Sequence, residues 1–269
     1  NDEINSDGNI ICETELLRVQ SIRTKDGIEE AIAIEWKNHT VIRLSTLLEP
    51  DQLAPLFSGG EWAGTRLWDA AIECIHYLHD QYFCKEPCAA QTTTTLLELG
   101  CGLGVPGMLC SLMMSTTTTP IVVLTDQGLL LNQLQNNINA NFDCKNNNNN
   151  KDFNTTIQAK ALSWSREGIK SLLQEDVLLQ RGFDYVIACD CIYEPLYGES
   201  WKLLADVIDE LLYVNPKAIV LVSCERRNQD GVDKFLKVMT ENQQHVASVT
   251  LVLTKENIEI YKINGHELE

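Results

Sequence analysis

Thr95-Leu96-Leu97-Glu98-Leu99-Gly100-Cys101-Gly102-Leu103-Gly104-Val105-Pro106-Gly107 is the stretch on which the fold turns. Apolar residues run up to Leu99, three glycines follow at alternate positions, and from about Pro106 to Met114 the spacing becomes helical. A strand that feeds a glycine loop and then a helix brings backbone N–H groups and a helix N-terminus to one point, where a ligand can approach closely. Glycine also punctuates ordinary strand-to-helix turns, so the loop takes its meaning from what surrounds it.

Downstream the alternation continues. Ile121–Thr125 precedes a helical pattern from about Leu129 to Asn141, and Ile157–Leu162 precedes one near Lys170–Leu179. Phe183–Cys189 is followed by a helix near Pro195–Tyr213, and Ala218–Cys224 by one near Asp230–Met239. Val246–Leu253 and Ile258–Ile263 close the chain as a hairpin. Strands alternating with helices predict a parallel sheet with helices on both faces. Upstream, Leu67, Ala71, Cys74, Ile75 and Leu78 have the spacing of an amphipathic helix over residues 67–80. Residues 9–46 alternate apolar and polar in short bursts and read as two or three antiparallel strands. The expectation is a β extension over residues 1–56, packed on the core, and an α/β domain over residues 57–269. The runs Thr92–Thr95, Thr116–Thr119 and Asn146–Asn150 read as loop insertions without chemistry.

With 44% hydrophobic and 22% charged residues among 269, the chain can bury a substantial core. A net charge of −17 repels polyphosphate and argues against nucleic acid as a partner. It would favour encounter with basic protein segments. Several of the ten cysteines sit in apolar runs, where free thiols pack as small hydrophobes. This fits a reducing compartment, cytoplasm or nucleus, better than a disulfide framework. Cys84 and Cys88 have no second pair or His at zinc-ligand spacing, so no metal is expected. No run approaches the roughly 20 apolar residues of a membrane span, and Asn1-Asp2-Glu3-Ile4-Asn5 lacks the basic and then apolar pattern of a signal segment. A soluble intracellular monomer is expected, in which Asn38-His39-Thr40 and Asn154-Thr155-Thr156 are accidental glycosylation triplets.

Gly102-Leu103-Gly104-Val105-Pro106-Gly107 matches the dinucleotide pattern G-x-G-x-x-G, and Asp126 ends the second strand where an acid holds ribose hydroxyls. Both features fit NAD(P) and S-adenosylmethionine alike. Glu98 separates the two: an acid there repels a pyrophosphate but accepts bonds from an amine-bearing, cationic cofactor.

At these residues the chain resembles the eukaryotic S-adenosylmethionine-dependent protein-lysine N-methyltransferases of the methyltransferase-like family. The matching pieces are Arg66-Leu67-Trp68-Asp69-Ala70-Ala71, Glu98–Gly104, Thr125-Asp126, Asn137–Asn141, Leu162-Ser163-Trp164-Ser165, Asp190-Cys191-Ile192-Tyr193 and Glu225-Arg226-Arg227. They span roughly residues 60–263 in family order. The resemblance implies a class I methyltransferase: a doubly wound, mostly parallel seven-stranded sheet with a C-terminal antiparallel hairpin and, here, an N-terminal β appendage. It implies that Trp68 borders the cofactor, that Gly100, Cys101, Gly102 and Gly104 wrap its methionine part, and that Asp126 binds its ribose. Trp164 would lie against the adenine, and Cys189 would line the same pocket. Asp190 and Tyr193 would face the incoming lysine.

An ammonium with a pKa near 10.4 must lose its proton before it attacks a methyl group. A carboxylate and an aromatic face can hold and orient the cation until it does. The sulfonium already activates its methyl, so the protein supplies proximity and alignment, and no nucleophilic triad is expected. His39, His76, His79, His245 and His266 are scattered and read as surface or packing residues. Arg226 and Arg227 read either as holders of a substrate loop or as solvated charge. Cys101, where the family's loop commonly has a small residue, and Ser165, where Gly often follows the tryptophan, depart from the pattern without removing a required group. The resemblance points to a protein substrate such as a chaperone, ATPase or elongation factor. An NAD(P)-dependent reductase, a non-catalytic binding module on the same fold, and histidine as the methylated residue stay open on sequence.

Overall fold

The computed structural model describes residues 17–23, 25, 29–36, 40–45, 64, 66–84, 93–115, 118–142 and 155–266. The chain divides into two compact units, residues 1–47 and 48–269. In the first, β1 (Leu17–Arg23), β2 (Glu29–Trp36) and β3 (Thr40–Ser45) form an antiparallel meander in that order. Ile34 lies opposite Ile42, and Ile32 opposite Leu44. Successive side chains of a strand point to opposite faces, so this register gathers the apolar residues on one face, where all four are buried.

The second unit begins with α1 (Asp69–Leu78), which runs on into a π-helical turn over His79–Phe83. Then follow β4 (Thr93–Leu99), α2 (Val105–Met114), β5 (Thr119–Asp126), α3 (Leu131–Phe142), β6 (Thr156–Ala161) and α4 (Arg166–Gln174). The remainder is β7 (Tyr185–Cys189), α5 (Glu194–Tyr197), α6 (Trp201–Val214), β8 (Ile219–Glu225), α7 (Val232–Glu241), β9 (Val246–Lys255) and β10 (Ile258–Gly265). The seven strands are ordered β6-β5-β4-β7-β8-β10-β9, and only β10 is antiparallel to its neighbours. The expected class I architecture is therefore present, with β10 of its terminal hairpin inserted between β8 and β9. Strand order reverses between β4 and β7, and open α/β sheets bind ligands at the carboxyl ends of strands beside such a reversal. The central strands read as continuous apolar runs because helices cover both their faces; Leu96, Leu97, Val122, Val123, Val220 and Leu221 are all buried.

Three local readings are corrected. The Thr92–Thr95 run is not simply a loop insertion: Thr93–Thr95 open β4, and the buried Thr95 donates its hydroxyl to Asp184 Oδ2 at 2.9 Å. Its partner lies 89 positions away, which no local pattern reveals. The helix expected near Lys170–Leu179 starts at Arg166, because the Ser165 hydroxyl caps it by accepting the Gly168 N–H at 3.0 Å. The helix expected over Pro195–Tyr213 is two, α5 and α6, separated at Gly198, whose φ of 59° no right-handed helix accommodates. The Asn146–Asn150 run lies outside the described residues.

Candidate functional site

A cavity of about 830 Å3 opens at the carboxyl edge of the sheet. Trp68, Glu98, Gly100, Cys101, Gly102, Asp126, Trp164, Cys189 and Asp190 all line it. Two residues singled out from sequence do not: Gly104 and Tyr193. Gly104 is the N-cap of α2 with φ 73°, and a Cβ there would meet Leu124 and Leu134, so its place is in packing. Leu196, Tyr197 and Leu203 border the cavity without any signal in the sequence, because a short helix-to-helix break brings them to the rim.

The glycine loop is shaped by close backbone approach. Gly102 has φ 51°, and a Cβ there would lie 2.8 Å from the carbonyl oxygen of Gly64. Gly107, the last residue of the dinucleotide-like pattern, serves a different end. A Cβ there would stand 2.3 Å from Leu124 Cδ2, so the glycine lets α2 pack on β5.

The Gly107 N–H donates to Glu98 Oε2 at 2.8 Å, which places the chain's own carboxyl at the amide end of α2. A dinucleotide pyrophosphate needs that position. Glu98 is buried, and burial pushes its pKa up to about 8, against the lowering effect of the Gly107 amide and with a further push from Asp126. Sequence reading gave Glu98 wholly to the cofactor; the fold commits one of its oxygens to the helix. Asp126 accepts the Gly102 N–H at 2.8 Å through Oδ2 and the Gln127 N–H at 2.7 Å through Oδ1, and burial raises its pKa as well. Two backbone amides thus fix this carboxylate's orientation at the cavity wall while lone pairs remain for hydroxyl donors.

The surroundings of the thiols around the cavity disfavour their thiolate forms. Burial holds Cys101 and Cys191 well above the usual thiol range, and a hydrogen bond with Cys74 together with burial does the same for Cys189. None of the described histidines lines the cavity; His39 lies outside the described residues. His76 has its pKa lowered by burial, and His245 is bonded to Asp209.

Asp190 follows β7 with a left-handed backbone, φ 53°, uncommon outside glycine and held here by its surroundings. Its N–H donates to the Ser223 carbonyl at 2.7 Å, and its Oδ1 accepts the Glu225 N–H at 3.2 Å. Arg227 grips the same carboxylate in a fork, Nη1 to Oδ1 at 3.0 Å and Nη2 to Oδ2 at 2.6 Å, and also pairs with Glu225. The guanidinium lies over two rings, 5.3 Å from the centroid of Trp68 and 5.2 Å from that of Tyr193. Arg66 stacks on Trp68 at 4.7 Å. Burial works against the charge on Arg227, but Asp190 and then Glu225 outweigh it and raise its pKa. Arg226 differs: it holds the turn after β8 through Asp230, Asp233 and Glu259. Of the two sequence readings of this arginine pair, solvated charge is excluded for both.

A family model described as lysine methyltransferase matches residues 49–242. Among similar proteins, the secreted RxLR effector protein 48 of Plasmopara viticola is 37% identical over 60% of this chain and 80% of its own. EEF1A lysine methyltransferase 3 of Xenopus tropicalis is 27% identical over 75% of each chain. Calmodulin-lysine N-methyltransferase of Arabidopsis thaliana is 24% identical over 61% of this chain and 47% of its own.

Proposed function

As a member of the lysine methyltransferase family, whose methyl donor is S-adenosylmethionine, the chain invites a reading of its site, and we propose that it methylates a lysine side chain of a folded protein. The observation that carries this is the meeting, at one sheet edge, of the glycine loop, Asp126, Trp164 and the carboxylate of Asp190 around one cavity.

The cavity volume falls within the roughly 300–1,000 Å3 of small-molecule sites, and its walls suit the donor. Asp126 offers acceptors for ribose hydroxyls, Trp164 an aromatic face for the adenine, and the Gly100–Gly102 backbone a close approach to the methionine part, with Trp68, Cys101 and Cys189 completing the wall. Glu98 provides an acidic group near the amine. Bound there, the donor supplies a methyl group already activated by its sulfonium. Asp190 and Tyr193 are the residues we assign to the incoming amine: the carboxylate holds the ammonium, the ring orients it, and the proton leaves to solvent before the nitrogen lone pair attacks. The protonated state of the surrounding thiols leaves the substrate amine as the nucleophile of the site.

Relatives named for EEF1A and calmodulin support a protein substrate; an elongation factor, chaperone or ATPase is our finer reading of it. The net charge of −17 supports basic protein segments over nucleic acid. A monomer in the cytoplasm or nucleus is our reading of its setting, the reducing compartment being supported by the seven described cysteines being free; fractionation and size-exclusion chromatography of tagged protein test it. Incubation with methyl-labelled donor and cell lysate should label discrete protein bands at lysine. Label confined to small molecules, or carried on histidine, overturns the assignment.

A further inference from the structure

The groups assigned to the substrate amine are already engaged. Asp190 gives both carboxylate oxygens to Arg227, and the Tyr193 ring faces the same guanidinium. With the Trp68 ring also within reach and Glu225 at its Nη2, Arg227 sits in a seat of two aromatic faces and two carboxylates. That is the environment a primary ammonium prefers. Two of its walls, Trp68 and Asp190, are also walls of the cofactor cavity, whereas Arg227 itself does not line that cavity.

We propose that Arg227 is a substrate mimic held in cis: its guanidinium fills the seat of the substrate ammonium, and an incoming lysine must displace it before transfer. The proposal rests on the lysine reading above. Asp190 and the Tyr193 face cannot bind two cations at once, so the apparent affinity for any amine is reduced by the fraction of molecules in which Arg227 is seated. A protein substrate would pay this cost with contacts elsewhere on its surface, whereas a free amine cannot. The arginine therefore acts as a specificity gate. When it swings away, the deprotonated amine nitrogen forms its bond to the methyl carbon as the carbon–sulfur bond breaks. The bonding pair stays on sulfur, which becomes a neutral thioether, and the amine proton has gone to solvent.

The gate is tested on the full chain with n-butylamine, the lysine side chain without its backbone. Arg227→Gln and Arg227→Ala are compared with the unaltered protein, with S-adenosylhomocysteine calorimetry and thermal melts confirming that each variant is folded and binds cofactor. The glutamine variant retains a polar side chain over Asp190 and guards against collapse of the alanine one. Both should transfer label from methyl-labelled donor to n-butylamine at least roughly tenfold faster than the unaltered protein, the change expected when a seated competitor is removed. Arg227→Lys places an ammonium where the guanidinium carbon stood, and mass spectrometry should find a methyl group on that side chain when donor is added. Rates for n-butylamine equal to or below those of the unaltered protein in folded, cofactor-binding variants overturn the gate. In that case Arg227 only orients Asp190. Failure of the unaltered protein to label any lysine in lysate overturns the lysine reading and the gate with it. Labelling of lysate lysines with no gain in the variants overturns the gate alone.

Discussion

Replacing Glu98 by Gln should change how stability depends on pH. In the fold the Glu98 carboxyl is raised from 4.5 to about 8 by burial. The unfolded chain releases this proton near the ordinary value, so between the two values the folded state binds more protons, and stability falls as pH rises. The contribution is fully present below about pH 4.5 and lost as pH passes through about 8. At about 1.4 kcal/mol for each pH unit, the span from 4.5 to about 8 is worth ~5 kcal/mol. Glutamine cannot ionise, yet it keeps an oxygen for the Gly107 N–H. Other titrating groups cancel when variant and unaltered protein are compared at the same pH. The difference between them should therefore swing by about 5 kcal/mol in favour of Glu98→Gln on going from mildly acidic to mildly alkaline buffer, and flatten above. For a domain of this size that corresponds to roughly 10–20 °C in melting temperature. Urea titrations at a series of pH values read the same quantity. Stability curves that run parallel across the whole range would show that Glu98 is ionised in the fold and that the reasoning from burial is wrong.

Gly102→Ala should weaken S-adenosylhomocysteine binding by at least about tenfold and cost ~1–2 kcal/mol, because its φ of 51° disfavours a side chain and the Cβ would press on the Gly64 carbonyl. Gly107→Ala should instead act on stability, by about 1–3 kcal/mol from overpacking against Leu124, as urea melts will show. Trp164→Ala should reduce cofactor affinity by about tenfold, the worth of one aromatic stack, with a smaller change in melting temperature; calorimetry and melts separate the two. Asp190→Asn tolerates the left-handed backbone but strips Arg227 of its forked partner, so stability should fall by roughly 2–4 kcal/mol and lysine labelling should cease.

The sheet was legible because its central strands are apolar on both faces and each is followed by a helical period. The cofactor wall was legible for a similar reason: Glu98, the glycines and Asp126 lie within one strand-loop-helix-strand unit, where spacing along the chain still reports position in space. Arg227 shows where that stops. Its partners come from the entry to α1, the end of β7 and its own strand, and only the register of β7 on β8 reveals that Asp190 and Arg227 meet. Gly107 shows the opposite failure, since its letter fits a nucleotide pattern but its missing side chain accommodates Leu124. Thr93 and Thr94 were left to the loop because composition hid strand residues inside a homopolymer.

In the second unit, every described strand end that borders the cavity is a carboxyl end, reached through Glu98, Asp126 and Cys189. β5 starts at Thr119, directly after threonine residues 116–118 in the sequence, and β6 starts at Thr156, shortly after the asparagine-rich residues 143–154, so both tracts precede the amino ends of strands along the chain. Repeat slippage in the coding sequence can lengthen or shorten these tracts without moving a group that touches a ligand. One edge of the sheet is constrained by the groups it presents to the cavity, while the other leaves the length of the chain free of that constraint.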